Sequence, residues 1–124
     1  MPPALTRLER LEDLDGVLAR TADRPLVLYK HSLTCGTSAY ALDALSEHLA
    51  AAPPGADYAM VVVQPHRDVS NEIARRLGVR HETPQVILVR DGRAIWNASH
   101  FRVTAAAVER ALAAHLAEAP PRAS

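Results

Sequence analysis

The residue best suited to covalent chemistry in this 124-residue sequence is Cys35, the only cysteine. It follows a short apolar run at residues 26–29 and precedes a segment with helical spacing, which places it on a strand-to-helix turn. A helix N-terminus presents unpaired backbone N–H groups and a positive dipole end, and both favour the thiolate that attacks disulfides. Two interpretations stay open at this point, because a lone cysteine is also often a small buried hydrophobic residue.

The polar residues around Cys35 limit the kind of exchange it could carry out. Ser38 stands where a Cys-x-x-Cys motif would place its second cysteine, and a hydroxyl can hydrogen-bond a thiolate but cannot form a disulfide with it. The predicted chemistry is therefore monothiol. Ser38 and Thr37 are also good N-cap residues for the helix that follows. His31, four residues before the cysteine, could supply a positive charge or a hydrogen bond.

The strands that would position these residues follow from apolar runs and turn signals. Residues 26–29 and 58–63 predict two buried strands. Residues 85–90 and 93–99 flank Asp91-Gly92, a strong hairpin signal, and therefore predict an antiparallel pair. Thr83-Pro84 opens the first strand of that pair, where proline's missing N–H is tolerated, and a cis bond is possible there.

Helical spacing between these strands predicts the remaining elements. A helix is expected over residues 38–51, with an apolar stripe at Ala39, Leu42, Leu45, Leu49 and Ala52. A short helix around Ile73 and Leu77 should close at Gly78, and a final one should begin after Thr104 as its N-cap. Apolar residues from Leu8 to Leu18 suggest a short strand or turn followed by another helix. The order βαβαβαββα predicts an α/β fold, a mixed four- to five-stranded sheet with helices on both faces.

Composition excludes several classes of partner. Lys and Arg together number 14, as do Asp and Glu, so the formal net charge is zero and we expect no nucleic acid or membrane partner. The apolar runs are too short to cross a bilayer and no signal-peptide pattern begins the chain, so we expect a cytoplasmic protein. The six histidines lack metal-ligand spacing, and no metal is expected. One domain over residues 1–124 is predicted, with frayed termini at 1–5 and 119–124.

The strand, the cysteine-bearing turn, the helix and the later Thr-Pro together resemble the thioredoxin fold, in which that proline is cis and faces the active cysteine. Three segments more narrowly resemble the monothiol bacilliredoxins, the bacillithiol system redox-active protein YtxJ family: KHSLTCGTSAYALDAL from Lys30, SNEIARRLGVRHETPQVILVRDGR from Ser70 and IWNASH from Ile95. Thr34, Cys35 and Ser38 match the family motif Thr-Cys-Pro-x-Ser, whereas Gly36 replaces its proline and should loosen the helix start.

The resemblance implies a thiol–disulfide oxidoreductase with no bound cofactor and with bacillithiol as co-substrate. Proteins held as mixed disulfides with bacillithiol would transfer that thiol to Cys35, supported by Thr34, Ser38 and His31, and a second thiol would regenerate the enzyme. Thr83, before the cis-proline, would pair with the backbone of the docked disulfide partner. The expected partners are therefore bacillithiolated proteins and bacillithiol, and we expect a monomer.

The hairpin geometry adds a candidate site for the small thiol. The strand over residues 93–99 should return its far end to the Pro84 side of the sheet, bringing Ser99, His100 and Arg102 near Cys35. Glutaredoxins bind a carboxylate of glutathione at the corresponding helix N-terminus, and the malate of bacillithiol could use the same device. Two alternatives stay open: a glutaredoxin-like reductase for another small thiol, and a non-catalytic redox sensor or adaptor of thioredoxin fold.

Overall fold

The computed structural model of the protein describes residues 5–34, 36–51 and 55–118, so Cys35 and the terminal residues 1–4 and 119–124 lie outside the described residues. The order of the strands and helices confirms the predicted βαβαβαββα succession. The strands are β1 (Leu5–Arg7), β2 (Leu26–His31), β3 (Asp57–Val62), β4 (Gln85–Arg90) and β5 (Arg93–Ser99). The helices are α1 (Leu11–Ala19), α2 (Gly36–Ala51), α3 (Arg67–Leu77) and α4 (Ala105–Glu118). Two short 3-10 helices, Arg20–Ala22 and His100–Arg102, complete the fold, and the second is called the corner helix below.

The five strands form one mixed sheet in the order β1-β3-β2-β4-β5. Strands β1, β3 and β2 run parallel, whereas β4 is antiparallel to β2 and β5 is antiparallel to β4. The hairpin turn between β4 and β5 uses Asp91 and Gly92 at φ values of 53° and 71°, the left-handed pair that matches the twist of a two-residue hairpin. The hairpin prediction is confirmed, and it fixes which end of β5 lies beside the start of β4.

Helices cover both faces of the sheet because side chains alternate along each buried strand. On β2, Val27 and Tyr29 point into a core shared with α2 and α4, while Leu26 and Leu28 point into a core shared with α1 and α3. The first core also includes Ala41, Leu45, Tyr58, Met60, Val86, Leu88, Val108 and Leu112. The second includes Leu8, Leu14, Val17, Ala59, Val61, Val69, Ile73, Ile87 and Val89.

Two details of the predicted elements are wrong. Leu5, assigned to a frayed terminus, lies in β1 and pairs with Tyr58, because even three residues can extend a parallel sheet beside a long central strand. On α2, Ala39 is exposed, whereas the buried face includes Ser38 and His48. An apolar count misses this face because both polar side chains have hydrogen-bond partners, His48 Nε2 lying 2.7 Å from Tyr58 Oη.

None of the helices in the described part of the chain is long and apolar enough to cross a bilayer.

Candidate functional site

The loop between β2 and α2 carries the predicted nucleophile. Cys35 falls outside the described residues, but its two neighbours are placed: Thr34 is exposed, and Gly36 is the first residue of α2. Position 35 therefore immediately precedes a 16-residue helix, whose first N–H groups lack partners within the helix. A Cβ added at Gly36 would meet no atom within 4 Å. The position at which the family has proline therefore borders open space.

The side chain of Gln64 holds the loop. Its Oε1 accepts the N–H of Leu33 at 3.0 Å, and its Nε2 donates to Ser32 Oγ at 2.9 Å and to Thr34 Oγ1 at 3.3 Å. Sequence reasoning missed Gln64, although one signal was available: it lies just beyond β3, which runs parallel to β2 with Val62 opposite His31. The ends of two parallel neighbours meet at one edge of the sheet, so residues following β3 reach the residues following β2.

Ser38 is buried and acts differently from the N-cap that the sequence predicts. The helix begins two residues earlier, at Gly36, and the Ser38 hydroxyl accepts the N–H of Ser32 across the loop at 3.3 Å. The N-cap prediction for Thr37 and Ser38 is therefore wrong, because both lie inside the first turn. An accepting hydroxyl keeps its own proton, so Ser38 retains the capacity to donate toward a neighbouring acceptor.

His31 and Tyr29 form a hydrogen-bonded pair beneath the loop. Tyr29 Oη lies 3.0 Å from His31 Nδ1 and 3.0 Å from the backbone oxygen of Ser38 in α2. Partial burial lowers the pKa of His31 below its usual value of 6.5, so its imidazole is neutral at pH 7. Of the two roles that the sequence left open for His31, the structure therefore favours hydrogen bonding over a positive charge.

The predicted docking peptide lies at the same edge of the sheet. The Thr83–Pro84 bond is cis, Pro84 is buried and Thr83 is half-buried. The ladder between β2 and β4 ends with Lys30 opposite Gln85, so Pro84 lies beside the end of β2 that leads into the loop. The arrangement brings Thr83 and Pro84 to the strand end from which the cysteine loop departs.

The corner helix brings the predicted small-thiol residues together. Ser99, His100 and Arg102 line an open pocket of about 410 Å³, and the N–H of His100 donates to the Pro84 oxygen at 2.9 Å. The corner helix also contacts α2. These three residues therefore share one pocket that is bonded directly to the cis-proline.

Glu82 is a pocket residue that the sequence analysis did not assign. Its Oε2 lies 3.7 Å from His100 Nε2, and it precedes Thr83 in the chain. A hydrogen bond from Ser99 is the main cause of a pKa below the usual value for Glu82, with smaller contributions from His100, Arg80 and Arg102. The pocket thus contains an ionised carboxylate beside the Arg102 guanidinium, whereas the sequence analysis assigned only Ser99, His100 and Arg102 to it.

A buried lysine, Lys30, lies on the face of β2 opposite to the one that carries Tyr29 and His31. Lys30 Nζ is 2.7 Å from His81 Nδ1 and 3.4 Å from the Ser70 oxygen of α3. Burial lowers the pKa of Lys30 to about 8. No sequence signal marked this group, since its partners lie 40 and 51 residues away.

Within the ranges 5–34, 36–51 and 55–118, no three His, Cys, Asp or Glu side chains are grouped in a way that could hold a metal ion.

Comparisons with known proteins agree with this geometry. A family model described as monothiol bacilliredoxin BrxC matches residues 6–108. A solved structure described as a putative oxidoreductase with a thioredoxin fold is 28% identical, with a TM-score of 0.77 over 86% of this chain and 92% of that one. The Fasciola hepatica thioredoxin is 18% identical, with a TM-score of 0.71 over 89% of this chain and 98% of that one. A poplar thioredoxin h mutant is 15% identical, with a TM-score of 0.76 over 96% of this chain and 88% of that one. The last two likenesses show the fold alone.

Proposed function

The chain belongs to the monothiol bacilliredoxin BrxC family of thioredoxin-fold thiol oxidoreductases, and from this we propose that it removes bacillithiol from protein mixed disulfides at Cys35. The observation that carries the proposal is the family match over residues 6–108, which includes the only cysteine at the entrance to α2.

The proposed reaction consists of two exchanges at one sulfur. The Cys35 thiolate attacks the bacillithiol sulfur of the mixed disulfide, forms a Cys35–bacillithiol disulfide and releases the protein thiolate. A second bacillithiol then loses its proton and attacks the bound bacillithiol sulfur. Bacillithiol disulfide leaves, and the Cys35 thiolate is restored. The second bacillithiol supplies the reducing equivalents, so no resident cofactor takes part.

Three features of the loop support this monothiol chemistry. The N-terminus of α2 favours a thiolate at the preceding position. Ser38 replaces a resolving cysteine, so the adduct at Cys35 cannot be displaced from within the chain. The Thr83 backbone beside cis-Pro84 offers a strand-like edge for the substrate peptide.

The pocket at the corner helix supports a small charged thiol as the second substrate. Arg102 and His100 suit a carboxylate such as the malate of bacillithiol, and Ser99 adds a hydroxyl. Glu82 Oε2 lies 3.7 Å from His100 Nε2, so the pocket is not a purely cationic surface. A thiol without an acidic group would leave Arg102 without a ligand partner.

Intact mass spectrometry tests the proposal. We expect the protein to gain one bacillithiol on incubation with bacillithiol disulfide, no adduct in a Cys35→Ser variant, and much less adduct with glutathione disulfide. An adduct that forms with glutathione disulfide but not with bacillithiol disulfide would show that the co-substrate is another small thiol. No adduct with either reagent would overturn the oxidoreductase proposal and favour the non-catalytic adaptor.

A further inference from the structure

The small-thiol pocket at the corner helix contains one anionic side chain to which the proposed function gives no ligand contact. We propose that Glu82 binds an ammonium group of the small thiol while Arg102 binds its carboxylate, so that the pocket selects a thiol that carries both charges. This inference deepens the function proposed above and rests on it for the identity of the thiol. The residues that line the pocket, 82 and 97–102, all belong to the described part of the chain.

A chain of hydrogen bonds holds the Glu82 carboxylate in the pocket. Gln85, which is 1% exposed, donates from Nε2 to the backbone oxygen of Arg80 at 3.0 Å and to Ser99 Oγ at 3.4 Å. Since the Ser99 hydroxyl accepts from Gln85, its own proton is available to Glu82, and this hydrogen bond is the main cause of the lowered pKa of Glu82. The carboxylate is therefore ionised at neutral pH and positioned by a buried amide.

The contacts of Glu82 leave room for a ligand. A carboxylate offers about four lone-pair positions, and the Ser99 hydroxyl occupies one of them. His100 Nε2 lies 3.7 Å from Glu82 Oε2, which is longer than the roughly 2.7–3.2 Å of a hydrogen bond. The Glu82 side chain is 36% exposed and lines the open pocket. An ammonium group has three N–H donors and no acceptor, so it complements such a carboxylate.

Arg102 supplies the opposite charge in the same pocket. Its guanidinium contributes to the lowered pKa of Glu82, so the two charges lie near enough to act on each other. A ligand with only a negative charge would pair with Arg102 but would desolvate Glu82 without giving it a partner, which is unfavourable. A ligand with an ammonium and a carboxylate satisfies both side chains. Bacillithiol belongs to this class, because its cysteinyl part has a free α-amine and its malate supplies carboxylates.

Binding to a protein that cannot react tests the inference. The parent protein is the Cys35→Ser variant, and the ligands are S-methyl bacillithiol and its N-acetyl derivative, which keeps the sugar and the malate but lacks the ammonium. At about pH 6.5 an α-amine is mostly protonated, and we expect calorimetry to show about fivefold weaker binding of the acetylated ligand. A Glu82→Gln variant in the same background should bind both ligands equally, because it lacks the carboxylate that distinguishes them.

The matched control is Glu47→Gln, which removes an exposed carboxylate of α2 outside the pocket and should keep the preference for the free amine. An equal loss on acetylation with and without the Glu82 carboxylate would overturn the proposal, as would a parent protein that binds both ligands equally or binds neither. These measurements need no disulfide exchange. A bacillithiol adduct at Cys35 without amine-dependent binding would overturn this inference and leave the proposed function standing, whereas amine-dependent binding without an adduct would do the reverse.

Discussion

Lys30 is a buried lysine whose charged form is unfavourable in the fold. Its side chain is 0% exposed, and its contacts among the described residues are the His81 ring and the Ser70 backbone oxygen rather than a carboxylate. Desolvation therefore lowers its pKa from 10.5 to about 8, and a shift of this size corresponds to about 3 kcal/mol of unfavourable free energy for the charged form. The contact with His81 links the segment before Glu82 and Thr83 to β2. The unfavourable desolvation of Lys30 therefore accompanies a contact that holds the docking edge.

The lysine predicts how stability depends on pH. Between pH 8 and pH 10 the unfolded chain holds the Lys30 proton while the folded chain releases it, so the free energy of unfolding should rise with pH. A Lys30→Met variant should lack most of this rise. Urea unfolding at half-unit steps of pH measures both slopes, and the range stops below pH 10 because Tyr58, whose pKa is raised to about 12, acts in the opposite direction above it. Parallel slopes for the two proteins would contradict the argument.

The corner helix forms part of the small-thiol pocket, to which it contributes His100 and Arg102. His100 has a φ of 57°, a left-handed conformation that a histidine seldom adopts, and its N–H donates to the Pro84 oxygen. This turn directs the chain from β5 toward α4, where the Thr104 hydroxyl accepts the N–H of Ala107 and confirms the predicted N-cap. The corner helix is therefore hydrogen-bonded directly to the residue that opens the docking edge.

Removal of the guanidinium should weaken recognition of an acidic thiol. We expect Arg102→Ala to slow Cys35 regeneration by bacillithiol about tenfold at low concentrations, which corresponds to one charge-assisted hydrogen bond. With 2-mercaptoethanol, which has no carboxylate, the variant should react at the wild-type rate. Arg93→Ala is the matched control, because Arg93 is exposed at the opposite end of β5. A loss of rate shared by both thiols would argue against a carboxylate site.

At the scale of the whole molecule, one sheet joins two separate cores. Leu14 of α1 lies in the core shared with α3, and Leu112 of α4 lies in the core shared with α2. Neither leucine contributes to the other core, but both cores use alternate residues of β2, β3 and β4. Loss of either core exposes one face of the same strands, so the described fold should unfold as one unit.

This arrangement predicts additive losses in a single transition. Leu14→Ala and Leu112→Ala should each lower the free energy of unfolding by about 2–5 kcal/mol, and the double variant should lose their sum within about 0.5 kcal/mol. Fluorescence of Trp96, the only tryptophan, and far-UV circular dichroism should report the same urea midpoint. Separate midpoints would show that the two faces unfold independently.

Local chemistry in the sequence was sufficient for much of the fold. Asp91-Gly92 predicted a two-residue hairpin, Gly78 a left-handed helix end and Thr104 an N-cap, and all three are observed. Each depends on the conformational preferences of one to three adjacent residues, so no distant contact was needed. The choice of Cys35 as the candidate nucleophile also came from the sequence, because it is the only cysteine and precedes a helix.

Only the tertiary structure decided which polar groups hold the loop, the pocket and the docking segment. Gln64 holds the loop from 31 residues away, Glu82 faces His100 across the pocket, and Lys30 meets His81 beneath the docking segment. Hydropathy patterns describe which side of a strand or helix is apolar, but they do not state which polar groups share a buried site. Those pairings depend on register between strands and on desolvation, and both arise only when distant segments are packed together.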